Sequence, residues 1–174
     1  MKMVLILLAG ALAAFGQQGF DFKVLDKLGA NATESANITL DGNTLKLATA
    51  FLGDKDVKGI VANLKGVYIR SYEFAKSGQY KEADLTPLRD YVKSRQWSKI
   101  VDVKEADETS EIYLLPISGD QIGGLVIISA EPKEVSIVFI EGTLRTSDIA
   151  KLGGNLGIPE IDLPREGRKP GKKE

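Results

Sequence analysis

The chain has neither cysteine nor histidine among its 174 residues. Without thiols no disulfide braces the fold, so a core of ordinary size must hold it, and a small stapled scaffold is excluded. The same gap removes the residue that a bacterial lipid anchor requires behind a leader. Without imidazole, the Ser-His-Asp and Cys-His nucleophile systems and the usual histidine-containing zinc sites are excluded as well. Charge of one sign is also missing. The 23 basic residues face 24 acidic ones, a balance that points to neither nucleic acid nor an anionic membrane. Phosphate-cradling loops are absent in their usual spacing: Gly123-Gly124 fits neither GxGxxG nor GxxxxGK[ST], and a strand-entry or bulge role suits these glycines better.

What is present begins with MKMVLILLAGALAAFGQQ, in which a single Lys2 precedes an apolar run, Met3 to Ala14, and small residues near Gly16. That is the form of a secretory signal peptide. The run is shorter than the roughly 20 residues that span a bilayer. The expectation is therefore a signal peptide over 1–16, no transmembrane segment after cleavage, and a periplasmic or secreted product. Residues 17–154 suit one domain. Residues 155–174, rich in Gly, Pro and charge, read as a flexible basic tail. Its last eleven, PREGRKPGKKE, hold five basic and two acidic residues. Weak contact with an anionic surface is one role for such a run, and a solvated extension the commoner one.

The strongest structural signal is IGGLVIISAEPKEVSIVFIEG, Ile122 to Gly142. Two apolar, β-branched runs flank Glu131 to Glu134, whose Pro132 cannot donate to a ladder, so the stretch reads as a β-hairpin at the centre of a sheet. Period two places Ile122, Gly124, Val126 and Ile128 on one face and Leu125 and Ile127 on the other. In the second run Val135, Ile137 and Phe139 oppose Ser136, Val138 and Ile140. Before it, Ile100 to Lys104 and Ile112 to Ile117 read as strands with short links, which implies an antiparallel C-terminal meander. The acidic link Glu105 to Glu111 lacks the spacing and central Gly of a calcium loop, so Asp107, Glu108 and Glu111 are expected at a solvated hairpin tip and no metal is implied.

Upstream, Phe20 to Leu28 reads as a short helix and Ser35 to Leu40 as a strand, with Asp41-Gly42 turning the chain. Thr44 to Leu52 gathers Leu45, Ala48, Phe51 and Leu52 on one helical stripe. Asp54 caps a second helix carrying Val57, Ile60, Val61 and Leu64. A third helix holds Leu85, Leu88, Tyr91 and Val92, with Pro87 in its first turn and Asp84 or Thr86 as the cap. Trp97 follows as a packing anchor between helix and sheet, or as a ligand-stacking residue. Thr146 or Ser147 caps a last short helix through Leu152. Asn31-Ala32-Thr33 and Asn37-Ile38-Thr39 match the glycan acceptor pattern, which recurs by chance. The fold class is α+β: a mainly antiparallel sheet with helices packed on at least one face.

Val67 to Phe74, VYIRSYEF, is the most unusual segment. Tyr68, Arg70, Tyr72 and Phe74 share a face, and aromatics with Arg concentrate in binding hot spots. They are the candidate surface for a protein partner, self-association or a ligand; a half-buried edge strand is the plainer reading.

The order of these features resembles a bacterial family catalogued as domain of unknown function 4252. The matching pieces are Asp21-Phe22 with Leu25 and Leu28, Ile38-Thr39-Leu40, LKGVYIRSYEF from Leu64 to Phe74, Trp97, Ile112-Tyr113, the Ile122 to Gly142 stretch and Ile149 to Leu152. The resemblance implies an exported or lipid-anchored envelope protein of a diderm bacterium with no assigned reaction. The missing lipobox cysteine separates this chain from the anchored members. The function expected is a non-enzymatic interaction module without a cofactor. The alternative is a carboxylate enzyme acting on envelope glycans or small ligands, with Asp102 and Glu105 or Glu73 as its pair.

Overall fold

The computed structural model describes residues 19–152. The expected signal peptide and the basic tail both lie outside that range. A 3-10 turn, Phe22–Leu25, leads into α1 (Asp26–Gly29), β1 (Glu34–Asp41), α2 (Gly42–Thr49), α3 (Lys55–Val61) and β2 (Leu64–Glu73). A second 3-10 turn, Glu82–Leu85, opens α4 (Thr86–Ser94). The meander β3 (Ser98–Glu105), β4 (Glu108–Ser118), β5 (Gln121–Glu131) and β6 (Glu134–Arg145) comes next, and a turn, Thr146–Asp148, leads to α5 (Ile149–Leu152). Six strands form one sheet in the order β1-β2-β6-β5-β4-β3, every neighbouring pair antiparallel.

The sheet is apolar on both sides because helices cover both. On face one, Leu45 of α2, Val57, Ile60 and Val61 of α3, and Ile149 and Leu152 of α5 pack on Val67, Ile69, Leu125, Val138 and Ile140. On face two, Leu25, Leu28, Leu85, Leu88 and Val92 pack on Val126, Ile128, Val135, Ile137 and Phe139. Each such side chain taken fully out of water contributes about 1.5–3 kcal/mol before entropy is charged against it. The chain's own helices thus supply the cover for both sheet faces.

Local chemistry explains most element ends. Asp54 accepts from the backbone N–H of Asp56 and Val57 at 2.7 and 3.1 Å, capping α3 as expected. The chain turns at Asp41-Gly42 as expected, but Asp41 accepts from Thr44 N–H at 2.8 Å and α2 starts at Gly42, ahead of the expected Thr44. That helix ends at Thr49, which swings Phe51 off the expected stripe to 90% exposure. Pro87 sits in the first turn of α4, while Asp84 caps the preceding 3-10 turn by accepting from Lys81 N–H at 2.9 Å.

Among the register shifts that interrupt the ladders, two flank β6 at one end of the sheet. The β2–β6 register shifts between Leu64 and Gly66, and the β5–β6 register shifts between Ile122 and Gly124. The second shift carries Ile122 across to face one, beside Leu125, rather than leaving it with Val126. Gly142 sits between the two breaks at φ 135°, where an added Cβ would lie 2.5 Å from Leu64 Cα. Only glycine suits that position.

The end of the sheet remote from these breaks is polar on face one. Glu34, Glu73, Glu134 and Glu131 stand opposite one another across β1, β2, β6 and β5, and Glu108 and Glu105 pair on β4 and β3. The glutamates are spread along a rung, and among the described residues no three acidic side chains converge on a metal position.

Candidate functional site

The Tyr68, Arg70, Tyr72, Phe74 stripe faces the interior. Tyr72 and Phe74 are 3% and 4% exposed, in the core of face two. Gly29 of α1 lies against Tyr72, and Phe74 stacks on Tyr80 at 5.2 Å. Tyr68 stacks on Phe22 at 4.8 Å, and the Arg70 guanidinium lies 4.8 Å from the same ring. Arg70 also donates to Ile38 O at 2.8 Å and Thr39 Oγ1 at 3.1 Å. The four residues therefore do not form an open contact surface. The segment around Phe22 and α1 covers them, since aromatic area is stabilised most where it is shielded from water. Nor is β2 an edge strand, because β1 continues the sheet beyond it.

The carboxylates singled out for the enzyme alternative also stay apart. Asp102 pairs with Lys99 at 3.1 Å. Glu105 is an odd number of residues along the same strand, so the two point to opposite faces. Glu73 is on β2, four strands from β3, a separation of about 19 Å at ~4.8 Å per strand.

Two glutamates on face two have contrasting surroundings. Glu111, expected at a solvated tip, is 4% exposed. Its carboxylate accepts from Arg89 Nε and Lys99 Nζ, both at 2.6 Å, and from Tyr113 Oη at 3.2 Å. Burial alone would raise its pKa, but the Lys99 and Arg89 hydrogen bonds outweigh it and hold the carboxyl below its usual range. This network ties α4 to β3 and β4. It is a satisfied structural group, which sequence spacing missed because Arg89 lies 22 residues away on a helix.

Glu141 is the other. It lies between Gly66 on β2 and Gly124 on β5, where both ladders shift register. The two glycines leave room that aromatic rings fill: an added Cβ on Gly66 would meet the Tyr68 ring at 2.7 Å, and one on Gly124 would meet the Trp97 indole at 2.6 Å. Below them Phe139 is the hub of a ring cluster, with Phe22, Trp97, Tyr91 and Phe20 at centroid distances of 5.6, 5.6, 5.9 and 6.0 Å. Around Glu141 a cleft of about 320 Å³ opens, lined also by Lys65, Tyr91, Arg95, Gln96 and Trp97.

The half-buried Glu141 carboxylate has no hydrogen-bond donor among the described residues. Every fully buried polar side-chain atom among them does have a partner, so the Glu141 oxygens face the cleft. Burial pushes its pKa above 4.5, against the attraction of Lys65 and Arg95. Burial and the Glu141 charge likewise push the Tyr68 phenol up. At the rim, Gln96 holds φ 62°, a left-handed conformation that costs a side-chain-bearing residue energy and recurs at ligand clamps. A larger groove, about 480 Å³, lies beside α3 and α5. Its charges pair with one another, Arg145 with Asp148 at 3.0 Å and Lys151 with Asp56 at 3.4 Å.

Trp97 is a packing anchor, as one of its two expected roles had it, within the ring cluster and over Gly124, and it also lines the cleft. Glu141 escaped sequence reading because a single glutamate after an apolar strand resembles any strand end. The signal that was present is the density of glycine in its neighbourhood, Gly66, Gly123, Gly124 and Gly142.

The chain belongs to the family described as Domain of unknown function (DUF4252), whose model matches residues 30–152. No curated protein and no solved structure matches it.

Proposed function

We propose that this family member is an exported, non-enzymatic interaction module that takes a small ligand in the Glu141 cleft. The observation that carries the reading is the half-buried carboxylate without a donor, held between aromatic walls where two register shifts open the sheet. Burial disfavours the charged form of this carboxylate, and a ligand in the cleft would supply the donor that the described residues do not. Paired-carboxylate chemistry needs two acids across a cleft, and among the described lining residues Glu141 is the one acid. The Lys2 and apolar-run leader supports export. Among the described residues no helix is long and apolar enough to cross a membrane.

The test is to express the full chain in a diderm bacterium, recover it by periplasmic fractionation, and weigh it by native mass spectrometry beside Glu141→Gln. The expected result is a periplasmic chain lacking residues 1–16 and carrying a non-covalent small-molecule mass that the variant lacks. A cytosolic chain with its leader attached would defeat export. Equal occupancy of wild type and variant would defeat the site.

A further inference from the structure

The cleft's charges and walls specify a class of ligand. Resting on the reading of the Glu141 cleft as a binding site, we infer that its ligand is a neutral, hydroxyl-rich ring compound, a mono- or disaccharide unit.

Three features converge. First, the walls are aromatic. The Trp97 indole lies over Gly124, and it and Tyr91 of α4 both line the one cleft. An aromatic face buries a flat, weakly polar surface well, and the C–H face of a pyranose is such a surface. Second, the polar groups are mixed. Glu141 offers acceptors only, while Lys65 and Arg95 offer donors only, and the Gln96 amide offers both. A ligand hydroxyl is donor and acceptor at once, so a polyol satisfies all four with one functional group.

Third, charge excludes the simpler alternatives. A quaternary or primary ammonium would suit Glu141 and the rings, but it would meet the like charges of Lys65 and Arg95. The Arg95 guanidinium itself lies 4.8 Å from the Tyr91 ring centroid. A phosphate or carboxylate would suit Lys65 and Arg95 but meet the like charge of Glu141. A neutral ligand avoids both penalties. The cavity volume, about 320 Å³, is at the lower end of small-molecule sites, which run to about 1,000 Å³, and so fits one or two sugar rings.

The chain has one tryptophan, and it lines this cleft, so intrinsic emission reports on the site alone. The mature chain is titrated with cellobiose, maltose and N,N′-diacetylchitobiose, and in parallel with choline and inorganic phosphate. The expected result is a saturable change in Trp97 emission with at least one disaccharide. Glu141→Gln should weaken it about tenfold or more, the usual effect of removing a charged hydrogen-bond partner. Arg95→Gln, which removes a charged donor from the cleft lining, should weaken the same titration, with circular dichroism confirming that both variants are folded. Saturation by choline or by phosphate, with none by the disaccharides, would overturn the ligand class and leave the cleft a binding site. Silence toward all five compounds, with wild-type and Glu141→Gln emission alike, would overturn the class and the site together.

Discussion

Glu111 and Glu141 project from the same face of the same sheet, and the protein treats them in opposite ways. Glu111 has two cations at 2.6 Å, and its folded pKa is held below 4.5. Its contribution to stability is therefore complete above pH 4.5 and is lost as pH falls through the lower folded value. Glu111→Ala leaves Arg89, whose side chain is 14% exposed, with the more exposed Glu82 at 2.7 Å as its remaining carboxylate. It should cost about 2–4 kcal/mol, below the top of the range for buried pairs because Lys99 reaches water. Urea denaturation at pH 7 measures this. Glu141 has the reverse sign. Its folded pKa is raised, so ionisation opposes folding: stability should fall as pH climbs from 4.5 to the folded value and stay lowered above it. Glu141→Gln should abolish that fall and make the protein more stable than wild type at neutral pH. Denaturation from pH 4 to 8 checks it, and a variant less stable than wild type at pH 7 would assign Glu141 a structural role.

At the scale of elements, glycines and register shifts shape the cleft. Gly124→Ala would place a methyl 2.6 Å from the Trp97 ring and 2.8 Å from Ile140 O. The backbone oxygen cannot yield cheaply, so a loss of about 2 kcal/mol with a shift of Trp97 emission is expected. At the other end of the sheet, Glu73 and Glu134 stand directly opposite. Changing both to Gln should stabilise the fold by a fraction of a kcal/mol at low salt. The gain should fade at 1 M salt, where screening acts within about 3 Å. Melting temperatures at the two ionic strengths test this. The elements themselves were largely legible. Asp54 with Val57, Ile60 and Val61 announced α3, and Glu131 to Glu134 marked the hairpin turn. What sequence could not show was where period two slips: Ile122 changed faces because a shift at Gly123 is a property of the paired strand. Phe51 left its stripe because α2 stops two residues before it.

For the whole molecule, the antiparallel meander was legible from β-branched apolar runs joined by short links, while helices cover both faces where at least one was expected. The site was far less legible. It is assembled from Lys65, Arg95, Trp97 and Glu141, distant in sequence and joined by the order β2-β6-β5 and by the turn after α4. Of the stripe that drew attention, Tyr68 stacks on Phe22, lies beside Phe139 and fills the space over Gly66 next to Glu141, whereas Tyr72 and Phe74 pack against Gly29 and Tyr80. On the proposed reading the cleft holds its ligand by shape and hydrogen bonds, and among its described lining residues Glu141 is the one acid. The most direct test is the single indole N–H signal of Trp97 in a proton–nitrogen spectrum of the mature chain. It is recorded before and after addition of the low-mass fraction of a bacterial envelope extract. The signal should move in wild type and stay in Glu141→Gln, and the eluted compound should be chemically unchanged. A signal unmoved in both proteins, or a compound recovered in altered form, would contradict a cleft that binds without reacting.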